Sequence, residues 1–121
     1  MPAQVDFTND GKIAILTYTG TFILDDIRHT DALVAPHLEQ TTAPMTIIID
    51  LSDLRSLAPG ALSTRNSLLF NHKNIGAIIF VGGNGGLRAV ADMVVRLSGC
   101  KNACFVNTLD AALDRAIQQP T

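Results

Sequence analysis

The chain has 121 residues, 47% hydrophobic and 17% charged, with nine Lys and Arg against eleven Asp and Glu and a formal net charge of −2. That is enough chain to bury a core without disulfides or metal, and it is too apolar to stay disordered. Near-neutral charge, few aromatics and no tryptophan leave neither a basic field for phosphates nor stacking platforms for bases, which argues against nucleic acid as a partner.

Met1 to Asp6 shows no basic stretch followed by an apolar one, and no apolar run approaches the ~20 residues of a membrane-spanning helix. The expectation is a single cytoplasmic domain over 1–121. Cys100 and Cys104 are spaced neither as a redox pair nor as zinc ligands. Two buried, reduced thiols are expected, with no metal and no other cofactor.

In chain order, Val5 and Phe7 alternate with polar residues and lead into Thr8-Asn9-Asp10-Gly11, a turn signal because Asn, Asp and Gly tolerate positive φ. Lys12 to Thr19 returns as a second strand, so the opening is an antiparallel hairpin, which Gly20 breaks. Leu24 to Gln40 carries the helical period, with Ile23, Ile27, Val34 and Leu38 on one face. Asp25 and Asp26 lie in its first turn, where the macrodipole favours negative charge. Pro36 is expected to kink or end this helix. Asp31 falls on the apolar face, so it is expected at the edge of the core with a partner, and His29 and His37 fall on the solvated side.

Met45 to Ile49 is a continuous apolar run closed by Asp50, the pattern of a strand buried on both faces. A polar turn follows, then a short helix from about Pro59 to Phe70. After the loop Asn71–Asn74, Ile75 to Val81 is a second buried strand. Gly82–Gly86 leads from it into a helix from about Leu87 to Ser98, stopped by Gly99. Ala103 to Val106 is the last strand, and Asn107 or Thr108 caps a final helix with Ala112, Leu113, Ala116 and Ile117 on its apolar face. The order ββαβαβαβα predicts an α/β fold: a mixed, mostly parallel sheet with right-handed crossovers and one antiparallel strand from the hairpin.

No single motif specifies a reaction. Asp50, Asp53 and Arg55 come at the carboxyl end of a strand, where open α/β sheets bind ligands. Asp50 could act there as a general base, but an acid in such a turn more often caps backbone amides or pairs with an arginine, here Arg55 or Arg65. The second candidate ligand-binding stretch is Gly83, Asn84, Gly85 and Gly86, which brings backbone amides to a helix N-terminus, an arrangement suited to anions. It matches neither the Walker loop nor the dinucleotide fingerprint, so a turn that lets the helix pack close to the sheet is the favoured reading. With no nucleophile elbow and no spaced metal ligands, no catalytic residue is assigned and no enzyme is expected.

Taken in order, several stretches resemble one family. They are Gly20 after the hairpin, the exit Ile47-Ile48-Ile49-Asp50-Leu51-Ser52, the lead His72-Lys73-Asn74-Ile75-Gly76, and the helix start Asn107-Thr108-Leu109-Asp110-Ala111-Ala112-Leu113. Together they look like the STAS superfamily, and within it the anti-sigma factor antagonist-like (SpoIIAA-like) group, whose fold is related to that of CRAL-TRIO lipid-transfer domains. The resemblance covers most of the chain and implies that fold with a non-catalytic regulatory or protein-interaction role. In the phosphorylation-switched members the turn after the Asp-Leu strand reads Asp-Ser-Ser-Gly, and a serine there is the acceptor. Here the turn reads Leu57-Ala58-Pro59-Gly60-Ala61, with Ser56 and Ser63 only flanking it, so the resemblance implies a module without the usual serine switch. A regulatory protein partner is the leading expectation. A small apolar molecule or lipid is the alternative, and phosphate or nucleotide binding at Gly82–Gly86 the second.

The helix from Leu87 to Ser98 is apolar around too much of its surface. Leu87, Val90, Ala91 and Val94 form one face; Met93 and Leu97 extend it on one side, with Ala89 beyond, and Val95 widens it on the other. Arg88, Asp92 and Arg96, spaced four apart, share one narrow stripe where they can pair along the helix. The apolar arc covers roughly two-thirds of the circumference, more than a sheet alone covers. A homodimer is therefore expected, with Met93, Val95 and Leu97 at the interface.

Overall fold

The two continuous apolar runs become inner strands of the sheet. The computed structural model describes residues 3–9, 11–41, 44–58, 60, 72–100 and 102–118. Along the chain come β1 (Ala3–Thr8), β2 (Ile13–Tyr18), β3 (Gly20–Phe22), α1 (Leu24–Gln40), β4 (Met45–Asp50), β5 (Leu54–Leu57), β6 (Ile75–Val81), α2 (Gly85–Ser98), β7 (Ala103–Val106) and α3 (Leu109–Gln118). The main sheet has the order β1-β2-β4-β6-β7. β1 and β2 pair antiparallel, with Val5 opposite Leu16, and every other neighbour in this sheet is parallel. The fold is thus a mixed α/β single domain with an antiparallel opening hairpin, as the sequence implies.

Alternation along the strands divides the core into two layers. Leu16, Tyr18, Ile47, Ile49, Ile78 and Phe80 face α1 and α2, meeting Ile27, Val34, Leu38, Leu87 and Val95. On the opposite face Ile13, Ile48, Ile79 and Val81 pack against Ala112 and Ala116 of α3. Ile47 and Ile48 therefore go to different layers, which is why the run shows no polar alternation. Each such isoleucine stabilises the fold by ~1.5–3 kcal/mol relative to exposure.

The helix ends follow their local chemistry. The Asp26 carboxylate is buried and accepts the Ile23 backbone N–H at 3.0 Å, closing the first turn of α1. Thr108 caps α3 by accepting from the Ala111 N–H at 3.1 Å. Gly99, at φ +77, ends α2 in the left-handed conformation. The Asn74 side chain donates to the Leu38 carbonyl at 2.7 Å and ties the start of β6 to the end of α1.

Several expectations change. α1 runs unbroken through Pro36, because the proline and Ala32, whose carbonyl loses its partner, both lie on the exposed side. Ile23 stands at the N-cap and is exposed, so Asp26 and Thr30 share the inner face with Ile27, Val34 and Leu38 instead. His37 is exposed yet stacks on Phe7 with centroids 3.8 Å apart. β3 and β5 form an additional parallel two-stranded sheet where a break and a turn were expected. α2 begins two residues early, at Gly85, and Val95 points into the core. Both thiols are free and half-buried rather than fully buried. The helix expected from Pro59 to Phe70, with Ser63 and Arg65, lies outside the described residues. Among the described residues, no helix is long and apolar enough to cross a membrane.

Candidate functional site

Parallel strands deliver their carboxyl ends to one edge, and the turns that follow meet there. Thr19 and Gly20 come after β2, Leu51 to Asp53 after Asp50 at the end of β4, Gly82 to Asn84 after β6, and Asn107 after β7. Backbone bonds stitch these turns together. Leu51 N–H donates to the Val81 carbonyl at 2.8 Å, Gly82 N–H to that of Val106 at 3.0 Å, and Gly20 N–H to that of Asp53 at 3.2 Å.

The polar side chains of this edge mostly serve the same stitching. Asp50 Oδ1 accepts the Ser52 N–H at 2.9 Å, the short turn that acids form with the backbone two residues on. Asn84 caps α2 by accepting the Leu87 N–H at 2.9 Å, an amide that an anion at this terminus would otherwise use. Gly82 has φ +66, and a Cβ there would lie 2.6 Å from Ser52 Oγ and 3.1 Å from Ser52 Cα. The β4 and β6 turns thus touch at a point where any side chain would be both strained and crowded. Gly85 and Gly86 are different: they form the exposed first turn of α2 and carry no positive φ.

Arg88 is the residue that sequence reasoning misplaced. It does not join Asp92 and Arg96 along the helix; only those two pair, at 2.9 Å. Its Nε–H donates to the Gly82 carbonyl at 2.9 Å, and Nη2 donates to the Val106 carbonyl and to Asn107 Oδ1, each at 3.0 Å. The guanidinium lies 6.0 Å from the centroid of the Phe105 ring, which stacks on Phe80 at 4.9 Å. Arg88 therefore locks the glycine turn to the end of β7. Helical periodicity contains no signal for this, because the partners are a neighbouring turn and a strand eighteen residues away.

Two hollows open beside this scaffold. One is polar, formed by Thr19, Gly20, Ser52, Asp53, Leu54 and Arg55, with Ser52, Asp53 and Arg55 exposed. The other is an apolar cavity of about 70 Å³ whose walls include Phe22, Ile49, Leu54, Phe80, Leu87 and Val94. Tyr18 also borders it. The Tyr18 hydroxyl lies 2.7 Å from Thr30 Oγ1, which also lies 3.2 and 3.1 Å from the carbonyls of Asp26 and Ile27. Either hydroxyl can be the donor of the pair, since Thr30 can turn its proton to Tyr18 or to one of those carbonyls. Burial pushes the Tyr18 phenol well above the usual tyrosine value, and the Thr30 bond only partly opposes this.

The sequence-derived candidates thus fall into two groups. Asp53 and Arg55 come together on the polar hollow. Asp50, Gly83 and Asn84 belong to the stitched turns and do not line it, Gly83 packing close to Leu51 and Leu87. Of the expected interface residues, Met93 and Leu97 are exposed and Val95 is not. Among the described residues, no group of three His, Cys, Asp or Glu is placed to hold a metal.

No protein-family model and no curated protein matches the chain. Solved structures do. The anti-sigma factor antagonist SpoIIAA in its unphosphorylated form superposes with a TM-score of 0.70 at 15% identity, over 97% of this chain and 99% of that one. An uncharacterised DUF3478-family protein with a SpoIIAA-like fold, from Shewanella loihica PV-4, gives 0.68 at 19% identity over 94% and 91%. An anti-sigma factor antagonist from Mycobacterium paratuberculosis gives 0.64 at 16% over 96% and 93%. At such identities the likeness establishes the fold. This chain has the SpoIIAA-like α/β fold.

Proposed function

We propose that the protein is a non-catalytic, regulatory protein-interaction module that docks a partner at the polar hollow of Thr19, Gly20, Ser52, Asp53 and Arg55. The observation that carries this reading is where the polar groups of the carboxyl edge go. Asp50, Asn84 and Arg88 are engaged with the chain's own backbone, while Asp53 and Arg55 stand exposed. A reaction needs an acid, base or nucleophile aimed at substrate. A docking surface needs a rigid platform with charged groups at its rim, which is what the stitched turns supply.

The module works without the usual serine switch. Ser56, the nearest described serine to the Leu57–Ala61 turn, lies in β5, and its hydroxyl bonds Thr21 at 2.8 Å across the β3–β5 pair. The protein is proposed to be cytoplasmic and homodimeric.

Because the similar structures include anti-sigma factor antagonists, an anti-sigma factor is the partner class to test. Calorimetric titration against the anti-sigma factors of the same genome should find one that binds, and Arg55→Glu should weaken it about tenfold or more. Binding by none of them, or unchanged affinity in the folded variant, would overturn the assignment.

A small apolar molecule or lipid is the second reading, favoured by the apolar cavity. Its volume of about 70 Å³ is far below the ~300–1,000 Å³ of small-molecule pockets, so an acyl chain would have to widen it. Phosphate or nucleotide binding at Gly82–Gly86 ranks third, since Asn84 already holds the Leu87 amide and Arg88 is turned onto backbone carbonyls.

A further inference from the structure

α2 has two unlike faces. Leu87, Val94 and Val95 turn inward, Val95 being 8% exposed, whereas Met93 and Leu97 remain 47% and 55% exposed. With the exposed Ala89 these two stand at i, i+4 and i+8, forming one outer ridge about 12 Å long. The Asp92–Arg96 pair runs along one flank of that ridge. None of the ridge residues lines the apolar cavity or the polar hollow.

We infer that this ridge is a self-association surface, on which a second copy of the chain packs its own α2 antiparallel. A two-fold rotation that sets two facing helices antiparallel keeps each flank on its own side of the pair. With the axis level with Met93 and Val94, Arg96 of one copy comes opposite Asp92 of the other, on both ends of the same flank. Met93 meets its counterpart at the centre, and Leu97 comes beside Ala89 of the second copy, a large side chain against a small one. Ridges with the i±4 spacing on both helices interdigitate in the commonest class of helix packing. The cross-pairs form only in this orientation, because a parallel two-fold carries the flank to the opposite side of the pair, where Arg96 of one copy cannot reach Asp92 of the other. A self-complementary rim around an apolar centre fits a second copy of this chain.

Sedimentation equilibrium at micromolar concentration should report a particle of twice the 12.9 kDa chain mass. Met93→Glu should give a monomer with the wild-type circular dichroism spectrum, since the side chain is exposed. Asp92→Arg should weaken the dimer at least tenfold, and Asp92→Arg combined with Arg96→Asp should restore it. If Met93→Glu fails to fold, Leu97→Glu reads the same ridge. A monomeric wild type, a folded ridge variant that stays dimeric, or a charge exchange that does not restore association overturns the inference.

Discussion

Tyr18 is the single tyrosine of a chain without tryptophan, so its ionisation can be followed by ultraviolet absorbance without interference. Its hydroxyl is buried beside Thr30, and losing the proton would leave an anion in the apolar core with that one hydroxyl to offset its lost hydration. Burial raises the folded-state pKa above the ordinary value of about 10. A group raised in this way contributes stability that is fully present below its unfolded pKa and declines as pH rises beyond it. The native protein should therefore show no tyrosinate signal at pH about 10, and at higher pH the signal should rise together with loss of circular dichroism. Titration at the ordinary value in a protein that stays folded would show that Tyr18 is not held as described.

At the scale of elements, the β6–α2 turn offers the clearest contrast. Gly82 combines a left-handed backbone with contact against Ser52, whereas Gly85 is helical and faces open space. Gly82→Ala should cost ~1–2 kcal/mol from the backbone conformation alone, and more from the collision with Ser52. Gly85→Ala should stabilise by up to ~1 kcal/mol. Urea denaturation of the two variants checks both signs, and equal effects would contradict this geometry. The same turn shows what the sequence could reveal. A glycine-rich passage from strand to helix was readable, and so were β4 and β6, because strands buried on both faces are written as unbroken apolar runs. β3 and β5 were not, since Gly20-Thr21-Phe22 and Leu54-Arg55-Ser56-Leu57 are too short for a period and depend on each other for pairing. The width of the α2 apolar arc was legible, but which side the sheet covers was not, and Val95 fell on the covered side. The polar hollow was legible only as Asp53 and Arg55 following a strand. Thr19 and Gly20 reach it through the β3–β5 pair, a long-range contact that no local pattern announces.

For the whole molecule, rigidity and exposure are separated. The turns at the carboxyl edge are fixed by the bonds of Asp50, Asn84 and Arg88, while Asp53 and Arg55 on the polar hollow and Met93 and Leu97 on the outer ridge of α2 stand exposed. Among the described residues the apolar cavity measures only about 70 Å³, and the larger hollow beside it is bordered by exposed polar side chains. The central claim is that the protein acts through those surfaces and carries no bound small molecule or phosphate of its own. Mass spectrometry of the purified protein, first native and then denatured, tests this most directly. The native assembly should have the mass of polypeptide alone, and the denatured chain its unmodified mass. An acyl chain or nucleotide released on denaturation, or a chain carrying stoichiometric phosphate, would contradict it.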